Sequence, residues 1–76
     1  MDKEEILLTL IDNGEVVFQQ FGFIIKIEES SEEGYNGNIY ESRKALEEEE
    51  SLDGGVYEGT AEEAIECFID LAKDHI

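Results

Sequence analysis

The end of the chain constrains its fold most. Thr60 stands three residues before Glu63, the Thr-x-x-Glu pattern in which hydroxyl and carboxylate each satisfy a free backbone N–H at a helix start. From there Ala61, Ala64, Ile65, Phe68, Ile69, Leu71, Ala72 and Ile76 share one broad side of a helical wheel. Glu62, Glu63, Glu66, Asp70, Lys73 and Asp74 share the other. A helix with so wide an apolar side needs a flat apolar support, and the preceding residues offer a sheet.

Residues 16–28 read as extended. Val16, Val17 and Phe18 begin the stretch, and Phe21, Phe23, Ile25 and Ile27 then alternate with Gly22, Ile24, Lys26 and Glu28, so the odd positions are expected to face the core. Gln19 and Gln20 interrupt the run and fit either a bulge in one strand or a turn between two. Glu29 to Gly34 is a polar hairpin connection, and Tyr35 to Glu41 returns as a strand with Tyr35, Gly37 and Ile39 on one face and Asn36, Asn38 and Tyr40 on the other. The asparagines flanking Gly37 suggest an irregular edge strand, which would allow two copies to pair as a homodimer. Ser42 can cap a helical turn carrying Ala45 and Leu46, but four successive glutamates, Glu47 to Glu50, repel one another, so residues 43–54 are expected to be a mobile acidic segment. Asp53-Gly54-Gly55 reads as a turn before a short last strand, Val56 to Glu58.

At the other end, Asp2 can cap a helix over 2–13, with Glu5 at the third helical position and Asn13-Gly14 as its stop. Ile6, Leu7, Leu10 and Ile11 form its stripe, which suits packing on the sheet or, alternatively, a partner-binding or dimer-forming helix. The expected fold is a small two-layer α+β domain: a three- or four-stranded antiparallel sheet with an N-terminal and a C-terminal amphipathic helix, residues 1–76 making a single acidic domain.

Charge limits the function. There are 21 Asp or Glu and 5 Lys or Arg among 76 residues, a formal net charge of −16. Disorder is the usual companion of such charge, but the apolar fraction is 41% and the apolar residues are patterned. Self-repulsion predicts a stability that rises with salt. Direct binding to nucleic acid or to an anionic membrane is disfavoured by sign, no apolar run is long enough to span a bilayer, and a cytoplasmic setting is expected.

The chain is expected not to be an enzyme and to need no cofactor or metal. His75 and Cys67 are its single histidine and single cysteine, more than two helical turns apart on one helix. No Cys-x-x-Cys, His-x-x-His or Walker-type loop occurs. Glu47 to Glu50 lacks the ligand spacing of an EF-hand.

The acids are unevenly placed. Residues 28–66 hold 14 of them against Arg43 and Lys44 alone. A partner-binding surface is therefore expected from Glu28, Glu29, Glu32, Glu33, Glu41, Glu58, Glu62, Glu63 and Glu66, with Tyr35, Tyr40 or Phe18 as an aromatic anchor. Such a surface fits a basic-grooved nucleic-acid-binding protein. The other purpose that would explain unbalanced acid is solubility in a halophilic host, as a structural protein.

Short, acidic, α+β and without a catalytic constellation, the chain resembles as a class the small phage-encoded inhibitors that mimic DNA and block DNA glycosylases, restriction enzymes or CRISPR effectors. The resemblance implies steric occupancy of a DNA site. Gly59-Thr60-Ala61-Glu62-Glu63-Ala64 also resembles the Gly-x-Thr-x-Glu-Glu-Ala helix start of HicB-type antitoxins, which implies a basic toxin as partner. The Pro-rich turn before that family's last strand is absent here.

Overall fold

Asp2 opens the first helix. In the computed structural model, which describes residues 2–30 and 34–76, its carboxylate accepts the Glu5 N–H at 2.9 Å, and α1 runs Lys3–Asn13. Gly14 closes α1 in the left-handed conformation, φ 76°, with its N–H on the Leu10 carbonyl. Ile6 and Leu10 are buried and Leu7 half-buried, whereas Ile11 is 60% exposed. The expected stripe is thus narrower than its sequence: Ile11 lies about 120° around the helix from the midline between Ile6 and Leu10, and Leu7 about 80°.

The extended stretch is two strands. β1 (Glu15–Gln20) and β2 (Phe23–Glu29) pair antiparallel from Glu15↔Glu28 to Gln20↔Phe23, leaving Phe21 and Gly22 as a two-residue turn. Both turn residues have positive φ, 55° and 83°, as a twist-matched hairpin turn requires. This corrects one expectation: Phe21 is not a core-facing strand residue but a 44% exposed turn residue. The core-facing positions of β1 and β2 are Val16, Phe18, Ile25 and Ile27, all buried, with Phe23 half-buried at the turn.

β3 (Tyr35–Tyr40) pairs with β2 on one side and with β4 (Asp53–Tyr57) on the other, giving a four-stranded antiparallel sheet in the order β1-β2-β3-β4. Two readings are corrected here. β3 is an internal strand, so the edge strand proposed for pairing two copies is not at the edge; β1 and β4 are. Asp53-Gly54-Gly55 is the start of β4 rather than a turn, because these residues pair with Ile39, Asn38 and Gly37. The ladder along β3 overrides the local turn preference of the Gly pair. Gly37 sits in this internal strand because a Cβ there would stand 2.5 Å from the Phe68 ring.

Between β3 and β4, Ser42 caps α2 (Arg43–Glu47) by accepting the Ala45 N–H. The segment 43–54 therefore contains the expected helical turn, a turn through Glu50, and the first residues of β4. α3 (Ala61–Lys73) begins in the full reciprocal capping box of Thr60 and Glu63. It buries Ala61, Ala64, Ile65, Phe68 and Ala72 and half-buries Ile69 and Leu71, while Ile76 lies past its end, 78% exposed.

α1 and α3 cover one face of the sheet and share a single core with Val16, Phe18, Ile25, Ile27 and Ile39. At roughly 1.5–3 kcal/mol per buried large apolar side chain, this cluster is the main support of so small a domain. Ile24 and its cross-strand partner Tyr40 are also buried, but they point to the opposite face. On that face Val17 of β1 is half-buried, and α2, which packs on β3, carries the half-buried Ala45 and Leu46.

Candidate functional site

The sheet register sorts the expected binding residues to two ends of the molecule. Glu29 lies opposite Tyr35, and Tyr35 opposite Tyr57, so Glu28, Glu29, Tyr35 and Glu58 gather at one end, where α3 also starts with Glu62 and Glu63. Tyr40 and Glu41 lie at the other end, beside the β1–β2 turn and the start of β4. Glu32 and Glu33 lie outside the described residues.

The carboxylates at the first end differ in what holds them. Glu28 is directly opposite Glu15 in register, a like-charge pair. Lys26 resolves it: its ammonium reaches Glu28 at 3.4 Å and is drawn also by Glu15, and the Glu28 hydrogen bond lifts the lysine above its usual range. Glu63 serves the fold. The Thr60 N–H and hydroxyl donate to its carboxylate, as does Tyr57, and these bonds hold it below the ordinary glutamate range. Burial and the neighbouring Glu63 charge push the Tyr57 hydroxyl up in turn. Glu66 receives the ammonium of Lys3, from the opposite end of the sequence. Glu29, Glu41, Glu58 and Glu62 have no cation at ion-pair distance among the described residues.

The aromatic residues are placed differently from the carboxylates. Phe18 and Tyr40 are 5% and 6% exposed and belong to the interior, and Tyr35 packs half-buried against the core. The exposed aromatic ring is Phe21. No local signal marked it, since Gln19-Gln20-Phe21-Gly22 lacks the Asn-Gly or Asp-Gly of a typical two-residue hairpin loop.

At the far end His75 Nε2 meets Asp53 Oδ2 at 3.1 Å, and its ring stands edge-on to Phe23 with centroids 6.2 Å apart. The contact ties the C-terminus of α3 to the start of β4. The His75 ring and the Gly54 N–H hold Asp53 below the usual carboxylate range. Cys67 is a free, half-buried thiol. Among the described residues no three His, Cys, Asp or Glu side chains converge as a metal site, and no helix is long and apolar enough to cross a membrane.

A second surface feature lies where α1 meets α3. Two adjoining hollows of about 330 and 490 Å³ share Lys3 as a wall; half-buried Leu7 lines one above the fully buried Ile65, with Glu4 and Glu62 on its rim, and half-buried Ile69 lines the other, with Glu66 and Asp70 on its rim. The sequence did not point to it, because it depends on Lys3 reaching a helix 63 residues away. Comparison with models of known protein families, with curated proteins and with solved structures returned no match.

Proposed function

We propose that this protein is a non-enzymatic inhibitor that occupies the basic nucleic-acid-binding site of a DNA-acting or defence enzyme, as a phage-type DNA mimic does. The observation that carries the reading is an unbalanced carboxylate surface on ordered elements. Glu29 ends β2, Glu58 directly follows β4 and Glu62 lies in the first turn of a capped helix, with no cation at ion-pair distance among the described residues. Along α3, Glu62, Glu66 and Asp70 recur every four residues, about 6 Å apart along the axis, with the Lys3 ammonium on the middle one. One strand of duplex DNA carries a charge every ~3.4 Å. With Glu66 taken up by Lys3, the helix row alone has about a quarter of that density, and Glu58 and Glu29 at its head raise it. Attraction between such a row and a basic groove gives fast, steered association that falls with salt. A HicB-like antitoxin would use the same chemistry against a basic toxin.

Charge reversal tests the reading. Glu29, Glu58 and Glu62 changed together to Lys are compared with Glu47, Glu49 and Glu50 changed to Lys, which alters net charge equally. The first set is expected to slow association with a captured basic partner about 10-fold or more at ~0.1 M salt, and the second about 3-fold or less. Equal losses would show that total charge, not its placement, governs binding.

A further inference from the structure

The groove between α1 and α3 is neither covered by the fold nor purely electrostatic. The apolar surface it offers is that of Leu7 of α1 and Ile69 of α3, both half-buried, with Ile65 fully buried beneath them. Its rim is acidic on both sides of Lys3: Glu4 and Glu62 at one hollow, Glu66 and Asp70 at the other. Lys3 stands between the hollows with its ammonium on Glu66 and within the field of Glu62. We infer that this groove docks a basic amphipathic helix of a partner protein, whose apolar stripe enters the two hollows beside Leu7 and Ile69 while its Lys or Arg side chains meet the acidic rim.

The match is in sign and in shape. A helix laid in a groove by its apolar stripe carries its polar residues along the groove edges, where four carboxylates wait. Lys3 already shows how the rim receives an ammonium: this chain's own cation occupies a place that a partner's cation would take. Lys3 is thus a built-in competitor, and removing its charge strengthens docking rather than merely destabilising the rim. The inference rests on the proposed function for the positive charge of the partner, and adds the apolar floor that DNA mimicry does not require.

The probe is an acetylated, amidated helical peptide of about 16 residues of Leu, Lys and Ala, with its leucines on one stripe. Its isomer has the same composition with leucines spread around the helix. Peptide anisotropy and methyl NMR shifts of Leu7 and Ile69 read the binding. The striped peptide is expected to bind about 10-fold tighter than the isomer and to shift the methyl groups of those two residues. Lys3→Gln should tighten it a further ~3-fold, whereas Lys44→Gln, an equal change in net charge on α2, should change it much less. Equal binding of the two peptides, equal gains from the two lysine variants, shifts confined to other methyls, or no binding would each overturn the groove. None of these outcomes touches the DNA-competition reading, which is tested on a captured partner.

Discussion

Gly37→Ala is expected to destabilise the fold although alanine suits a strand better than glycine. The new Cβ would lie 2.5 Å from Cδ1, Cε1 and Cζ of Phe68. Carbon atoms prefer about 3.5–4.0 Å, so the ring must retreat by ~1 Å or more. It has nowhere to go: Phe68 is 2% exposed, and Ile25, Ile27, Ile39 and Ile65 in the same cluster are fully buried. Overpacking of this kind costs about 1–3 kcal/mol, offset by the ~0.5–1 kcal/mol that Ala gains over Gly in a strand. The net loss is about 1–2 kcal/mol, or about 5–15 °C in Tm for a domain of this length. Urea and thermal melts followed by circular dichroism measure it, and a cycle with Phe68→Leu isolates the cause. In the leucine background Gly37→Ala should be neutral or stabilising, a coupling of about 1–2 kcal/mol. If Gly37→Ala stabilises the parent chain, or costs the same in both backgrounds, the ring contact is not what requires glycine.

Phe21→Asn should raise stability by about 0.5–1 kcal/mol, because asparagine tolerates the left-handed backbone at this exposed turn; a lower melting temperature would contradict that assignment. Lys26→Met should cost about 0.5–1 kcal/mol in low salt by leaving Glu15 facing Glu28, and the loss should shrink in ~0.5 M NaCl; a salt-independent loss would point to packing instead. Glu63 has a depressed folded value, so its stabilisation is present above the ordinary value of 4.5 and is lost as pH falls through the folded value. The stability difference between the parent chain and Glu63→Gln, from urea melts at several pH values, should therefore close below about pH 4.5; a difference that persists at pH ~2 would remove the carboxylate from the cap.

What the sequence revealed follows from how local each signal is. The capping box at Thr60 and Glu63, the Asp2 cap and the Gly14 stop are contacts within a few residues, and each forms as its pattern implies. The alternation of Tyr35, Gly37 and Ile39 against Asn36, Asn38 and Tyr40 was equally legible, since pleating alone decides it. The misplaced pieces depend on distant partners. Gly54 and Gly55 join a strand because β3 has an edge to fill, and Phe21 is drawn into a turn because Gln20 must pair with Phe23. For the surface, the concentration of acid in 28–66 was visible. That Lys26 and Lys3 take up Glu28 and Glu66, and that Glu63 is spent on a cap, was not.

The claim that this chain occupies a basic nucleic-acid site is tested most directly by competition. The protein, immobilised, captures partners from bacterial lysate at ~0.1 M salt, and the captured protein is challenged with duplex DNA and, separately, with ~1 M salt. The account predicts a basic nucleic-acid-binding partner that both treatments release, with the DNA concentration needed for release rising in proportion to immobilised protein. A partner that salt releases but duplex DNA does not, or repeated captures with no nucleic-acid-binding partner, would contradict it.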